Sequence, residues 1–416
     1  MSDEPTGTPE EIARHRALGA VFGATFFVRF AFGITLAVFA EYLTGHPGLS
    51  GNDVAVVGLV SGAAPVGEFS TVLLSGIVAD RRGRFPVLFG GIAGAAGLFA
   101  VVAVSRSPFV LGGVNFLFGI ASGAILAASL AVIADRAVAD ERGHEMGRFD
   151  AVNLSGWIGG FAFGLVLLDL LPDRFLGLAF VIGAGLLAGG LALAAALARG
   201  LVYRRPAAGQ SVGHILRTAF RLRVLLVTLP WLVIYMLIGF VLVFVGTAAK
   251  SSGLPLPYLA AAIGGGGAIL VLTQPRFGRL ADRFGRRPMM TIGASGFVGV
   301  MVCASLLVAY GSRIPLLAAT GVCVLLALVY GPAALAALAD LSARISRATT
   351  MAVYSLTISL GMWLGLIVGT QLYDRLGNEG LYFFFGTVAV GLVALTAARY
   401  AVDARDARAG ARTPAQ

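Results

Sequence analysis

Charge is scarce in this sequence. Of 416 residues only 12% are Asp, Glu, Lys or Arg, while 58% are apolar; in a soluble chain the charged fraction is about a quarter. That excludes the string of soluble domains this length would otherwise suit, and leaves a single membrane domain. Cysteine is scarcer still: Cys303 and Cys323 are the only two, both inside apolar runs, and they read as packing residues. The first ten residues are polar and acidic, without the basic start of a secretory signal. The first helix is therefore expected to remain uncut, behind a disordered tail over 1–16. No nucleotide loop, serine triad or zinc-ligand spacing occurs, and no cofactor or metal is called for.

What charge there is leans to one sign and one side. The net balance of +10 could suggest nucleic-acid binding, but no basic face with interleaved aromatics stands out. A hydrocarbon core of ~30 Å needs about twenty apolar residues per helix. That ruler gives spans near 17–43, 53–79, 86–104, 109–134, 147–170 and 175–199, then 222–249, 257–275, 289–310, 315–339, 349–373 and 381–400. The segments placed on one side hold 25 of the 31 Lys and Arg; the opposite loops hold Arg106, Arg174, Lys250, Arg313 and Arg375, and Arg29 lies inside a helix. This asymmetry puts the basic side and both termini in the cytoplasm, in a multi-pass protein of the cell (inner or plasma) membrane. A linker over 200–221 separates the two sets of six spans, and residues 401–416 form a polar tail. The linker holds Tyr203-Arg204-Arg205-Pro206 and then a basic amphipathic run, His214 to Arg221. That run is suited equally to a plain linker and to lying on anionic lipid.

The two sets are copies. Gly76-Ile77-Val78-Ala79-Asp80-Arg81-Arg82-Gly83-Arg84-Phe85-Pro86 recurs as Gly278-Arg279-Leu280-Ala281-Asp282-Arg283-Phe284-Gly285-Arg286-Arg287-Pro288. Ala128-Ser129-Leu130-Ala131-Val132-Ile133-Ala134-Asp135 recurs 205 residues on, ending at Asp340, and at that shift Arg142 meets Arg347 and Met146 meets Met351. Gly156, Gly160 and Gly164 meet Gly361, Gly365 and Gly369, and Asp169 meets Asp374. Gly83 and Gly285 suit tight turns, and Pro86 and Pro288 suit the first turn of the next helix.

These loops resemble the signature G-x-L-A-D-R-x-G-R-[KR] of the major facilitator superfamily, which sits between helices 2 and 3 and, degraded, between helices 8 and 9. The resemblance implies an all-α membrane protein with twelve transmembrane helices in two pseudo-symmetric six-helix bundles. Helices 1, 4, 7 and 10 would line a central cavity, and access would alternate by rocking one bundle against the other. It also implies that Gly76, Asp80, Arg81, Gly83, Arg84, Asp135 and Arg142, with Gly278, Asp282, Arg283, Gly285, Arg286, Asp340 and Arg347, form a cytoplasmic gating motif. Asp80 is expected to find Arg81, Arg84 or Arg142, and Asp282 to find Arg283, Arg286 or Arg347.

Polar groups at mid-membrane are expensive and ask for an explanation. Arg29 and Glu68 lie about eleven residues from the inner ends of their helices, ~16 Å above the boundary at ~1.5 Å per residue, so they are expected to face each other. Such a pair can be purely structural. In the alternative Glu68 exchanges a proton while Arg29 competes for it or for an anionic substrate, and any step separating the two would load the proton. Position 270 is Leu where a counterpart of Glu68 would stand. Tyr235, Tyr330 and Trp363, with Ser122 opposite, complete a candidate cavity for amphipathic or weakly charged organic molecules.

Exporter hallmarks are weakened: where drug exporters carry an Arg four residues before a helix-4 Gly this chain has Asn115, and their helix-5 Gly-Pro pair reads Gly160-Phe161. An enzyme is not expected. Asp135, Asp140, Glu141, His144 and Glu145 could suggest an Mg²⁺ loop, but Arg136 and Arg142 interrupt them and the second half keeps only Asp340. The expectation is a monomeric secondary transporter whose partners are protons, membrane lipids and a small-molecule substrate, exported ahead of imported. A non-transporting receptor of the same fold is the competing class.

Overall fold

In the computed structural model, residues 8–44, 54–105, 107–201, 212–252, 256–311, 314–342 and 347–410 are described, and among them there is no strand. The basic Tyr203-Arg204-Arg205-Pro206 stretch, Arg106, Arg313, residues 1–7 and the last six residues lie outside the described set. The helices run α1 (Pro9–Thr44), α2 (Val54–Arg82), α3 (Arg84–Val104), α4 (Pro108–Arg136), α5 (Arg142–Leu170), α6 (Gly177–Ala198) and a short α7 (Val212–Ala219). They continue as α8 (Leu222–Ser252), α9 (Leu256–Phe284), α10 (Arg286–Tyr310), α11 (Ile314–Ala327), α12 (Tyr330–Leu341), α13 (Arg347–Leu364), α14 (Thr370–Leu376) and α15 (Asn378–Gly410).

Eleven stretches among the described residues are long and apolar enough to cross a membrane. The 29-residue α9 supplies the twelfth crossing of the layout. Two crossings are broken within their length. Pro332 cannot donate to the carbonyl one turn back, so the tenth crossing splits into α11 and α12. In the eleventh, a π-helical turn over Gly365–Gly369 joins α13 to α14, where these two glycines meet Met236 and Phe240 of α8.

The first six long helices pack as one bundle, with α1 against α5 and α6, α2 against α4, and α3 against α4 and α6. The last six form the other, with α8 against α13 and α15, and α10 against α11 and α15. The bundles meet along two seams, α2 with α13 and α5 with α9.

Two ends of the chain are more ordered than the sequence suggested. Residues 9–16 were expected in a tail, but α1 starts at Pro9 behind a reciprocal cap. Thr8 N–H donates to the Glu11 carboxylate at 2.8 Å, and Glu11 N–H donates back to Thr8 Oγ1 at 3.3 Å. Arg16 then fastens this extension to α6, donating to the Arg199 carbonyl at 2.7 Å. At the other end α15 runs on to Gly410. The linker helix α7 lies against α13.

Glycine sets how closely the helices approach. The row Gly156, Gly160, Gly164 lays α5 on α1, where added Cβ atoms would strike Phe26, Phe30 and Ile34; Gly361 and Gly365 lay α13 on α8 in the same way. These rows hold each bundle together internally. The seams between bundles use other glycines: Gly76 against Thr349 and Ala352, and Gly143, Gly147 and Gly278 between α5 and α9.

Replacing Gly160 by Val would therefore wedge α5 off the Phe30 carbonyl at a cost of about 1–3 kcal/mol or more. Size-exclusion chromatography of detergent-solubilised protein should show loss of the monodisperse peak. Gly185→Ala, at a position with nothing within 4 Å, should leave it intact.

Candidate functional site

The repeated loops fold as expected at their glycines. Gly83 has φ 106° and Gly285 φ 92°, a region nearly closed to other residues, and each joins two helices with no further linker. Both loops lie at the same end of the molecule, where a pair of matched latches crosses the seams.

In the first latch the Asp80 carboxylate, on the last turn of α2, caps α13. It accepts the N–H of Ala348 at 3.0 Å, the N–H of Thr349 at 2.8 Å and the Thr349 hydroxyl at 2.7 Å. These are orphan donors of a helix start, and the helix dipole adds to their pull on a carboxylate. Arg84 braces Asp80 at 3.0 Å and reaches Asp135 at the end of α4 at 3.1 Å. Arg347, from the opposite bundle, closes the ring on Asp135 at 2.8 Å and on the Ala134 carbonyl at 2.9 Å.

The second latch repeats the first with the bundles exchanged. Asp282 on α9 accepts the N–H of Gly143 at 2.9 Å and of His144 at 2.8 Å, capping α5. Arg286 pairs with Asp282 and approaches Asp340 at 3.5 Å, while Arg142 meets Asp340 at 2.8 Å.

The expected pairings are corrected at two points. Arg142 belongs to the Asp282–Asp340 ring and Arg347 to the Asp80–Asp135 ring, each serving the acidic residues of the other half. Arg81 and Arg283 point outward, and among the described residues they bind neither aspartate; the Arg283 guanidinium stacks on Phe284. The latches also differ in dryness. The Asp80 side chain is 1% exposed against 15% for its counterpart Asp282, and Asp135 is 32% exposed against 41% for Asp340. The acidic loop after helix 4 is spent on ion pairs, Glu141 with Arg14 and Glu145 with Arg148.

Glu68 lies twelve residues before Asp80 on α2, about 18 Å further from the latched end at ~1.5 Å per residue. The Ser355 hydroxyl of α13 donates to its Oε1 at 2.6 Å, so Glu68 also bridges the α2–α13 seam. Ser122 and Ser359 face the same carboxyl. The backbone of α2 can come this close because α4 offers Gly119 and Gly123; a Cβ at Gly123 would sit 3.0 Å from Glu68 Cγ. Arg29 is within electrostatic reach of Glu68, but among the described residues the two form no ion pair in this conformation. The Arg29 guanidinium instead stacks 5.6 Å from the Phe32 ring.

The other sequence candidates divide. Trp363 meets Phe69, the neighbour of Glu68, across the seam with ring centroids 5.8 Å apart. Tyr235 packs on Trp231 of the same helix, with ring centroids 5.7 Å apart. Tyr330 is drawn away into the second bundle, buried against Trp231 at 5.3 Å and Phe297 at 6.4 Å. Asn115 is a tether: its amide donates to the Val60 carbonyl of α2 at 2.8 Å, near the turn that Pro65 loosens.

Sequence reasoning passed over Ser355, Ser359, Tyr354 and Asp150. The internal repeat could have found Asp150, because at the shift of 205 it stands opposite Ser355.

Latch strength is testable by access. Asp80→Asn keeps the shape but turns one acceptor into a donor facing an N–H, removing a charge-assisted bond of about 1.5–3 kcal/mol. In a background without Cys303 and Cys323, a cysteine placed at the fully buried Thr350 should then be alkylated at least about tenfold faster. Asp282→Asn should have the smaller effect, its ring being the wetter; unchanged labelling in both variants would remove the latch role.

Comparison with known proteins agrees with this architecture. The family model described as Major Facilitator Superfamily matches residues 21–275 and 247–415. Among solved structures, the chain is similar to one titled as the human organic anion transporter MFSD10 (TETRAN), at a TM-score of 0.70 and 20% identity, covering 94% of this chain and 100% of that one. No curated protein sequence matches it. A family model spanning almost the whole chain, over two bundles joined by paired aspartate latches, places this protein in the Major Facilitator Superfamily, as a multi-pass membrane transporter.

Proposed function

We propose that this protein is a proton-coupled secondary transporter that exports a small amphipathic organic solute by alternating access, with Glu68 as the proton-carrying group. The observation that carries the reading is the Glu68–Ser355 hydrogen bond across the α2–α13 seam. A carboxylate bonded to the opposite bundle links its protonation to whether that seam is open or closed, which is the coupling a gradient-driven carrier needs. The latched end is the cytoplasmic one on the distribution of arginine, so Glu68 lies on the outer side of the closed latch, the side from which a proton would enter. Solute and proton then compete for the cavity walled by Arg29, Glu68, Tyr235, Phe69 and Trp363. The plasma or inner membrane is the place for such exchange, and the carrier works as a monomer.

One observation favours a second reading, in which proton and organic anion travel together. Arg29 is the cation of the cavity and, among the described residues, holds no carboxylate in this conformation, and MFSD10 is titled an organic anion transporter. The two readings predict opposite signs. If proton and solute compete, solute affinity falls as pH drops through the titration of Glu68. If they bind together, neutralising Glu68 frees Arg29 for the anion and affinity rises.

A thermal-shift screen of the purified protein against amphipathic cations, neutral drugs and organic anions at two pH values supplies the ligand and the sign together. Counterflow of that ligand in proteoliposomes separates a carrier from a receptor. In Glu68→Gln, counterflow should persist while the pH dependence and gradient-driven accumulation are lost; an unchanged pH dependence would remove Glu68 from the mechanism.

A further inference from the structure

A second acidic group is buried in the transmembrane region and takes no part in the latches. Asp150 lies on α5, seven residues beyond Gly143 and so roughly 10 Å from the latched end. It is 8% exposed, and among the described residues it has neither an ion pair nor a hydrogen bond. Its Oδ2 is packed so closely on α12 that a Cβ on Gly331 would come within 2.7 Å of it.

The groups around it offer no cation. On α5 itself Arg148 is committed to Glu145, and Asn153, one turn on, has a buried Oδ1 with no donor among the described residues. On α9 the buried Gln274 likewise has an Oε1 without a donor. From α12 come Gly331 and Tyr330, and from α8 Trp231 and Tyr235; α13 contributes Tyr354. Arg29 on α1 is felt by both Tyr235 and Tyr354. Tyr235 and Tyr354 both pack on Trp231, with ring centroids 5.7 and 5.2 Å from it. The side chains thus form one run about Trp231: Tyr235, Tyr354 and, beside Gly331, Asp150.

The repeat gives this run a simple geometry. Asp150 occupies in α5 the position that Ser355 occupies in α13, and Ser355 is the residue bonded to Glu68. Asp150 therefore stands in the α5 seam where Ser355, the partner of Glu68, stands in the α13 seam.

We propose that Asp150 is a second proton-binding site of the carrier, separate from Glu68. An ionised carboxylate with no partner in an apolar setting is expensive, and a proton removes the charge. The same proton turns one carboxyl oxygen of Asp150 into an O–H donor. No bond other than O–H is made or broken: the proton arrives from water in the open cavity and leaves to water when the α5–α9 seam opens. The inference extends the proton-coupled reading and rests on it for its purpose, but Asp150 can be tested without transport.

Infrared spectroscopy of the full-length protein in liposomes, titrated from alkaline to acid pH, reads protonated carboxyl groups by their carbonyl band. Wild-type protein should show a titrating band that disappears in Asp150→Asn and moves in Asp150→Glu, because the two acids absorb at different positions. A titrating band lost only in Glu68→Gln, with the spectrum of Asp150→Asn identical to wild type, would overturn the proposal while leaving the role of Glu68 standing. The reverse pattern would retain Asp150 and remove Glu68. Should Asp150→Asn fail to fold, Glu68→Gln still carries Asp150: a remaining band that shifts in Glu68→Gln/Asp150→Glu supports the assignment, and the absence of any remaining band overturns it.

Discussion

A carboxylate of one bundle caps a helix of the other, and the closed end of this protein depends on that interaction. Asp80 binds the first amides of α13, and Asp282 binds the first amides of α5. A helix start inside a protein leaves N–H groups that nothing in its own helix can satisfy. Here the helix that begins at the gate leaves them open, and the acceptor comes from across the seam. Opening the seam therefore exposes two kinds of unmet demand at once, a carboxylate and a row of amides, and water must satisfy both. Such a contact is strong while dry and readily exchanged once wet, which suits a gate that must release repeatedly.

The arginines make the arrangement cooperative. Arg84 joins Asp80 to Asp135 within the first bundle, and Arg347 arrives from the second to share Asp135. The second latch repeats this with Arg286, Asp282, Asp340 and Arg142. Because each ring contains charges from both bundles, neither ring survives separation of the halves. Glu68 extends the logic deeper along α2, where the Ser355 hydroxyl ties it to the second bundle. The seam is thus held by a latch of acidic and basic side chains at its end and by a carboxyl–hydroxyl bond further in. Gly76, Gly143, Gly147 and Gly278 keep the backbones close enough for these contacts.

Much of this was legible. The apolar ruler marked twelve spans, the duplicated Asp-Arg-x-Gly-Arg loops marked where the halves correspond, and the two glycines with positive φ fell where the tight turns required them. Glu68 stood out as an acid set deep within the second span, far from either end. The Thr8-Pro9-Glu10-Glu11 cap was also present in the sequence, and α1 begins behind it. The pairing of the latches was not legible. An arginine near an aspartate in sequence is a poor guide when helix direction throws consecutive side chains to different faces: Arg81 is adjacent to Asp80 and points away, while Arg84, one turn on, reaches back. Asp150 escaped because a position so near the start of its span reads as interfacial, and only the fold shows that Gly331 and the tyrosines close over it.

Sequence alone determined the number of crossings, most of their boundaries to within about two turns (α9 and α15 run nine and ten residues further than the apolar ruler gave), and the equivalence of the halves, because each follows from local hydropathy, glycine and proline, and from repetition along one chain. Tertiary structure decided which charge meets which. The cross-seam partners of Asp80, Asp282 and Glu68 lie 138 to 287 residues away, and whether such groups touch is set by how two bundles are seated against each other. That seating is a property of the packed seams, and no window of sequence contains it.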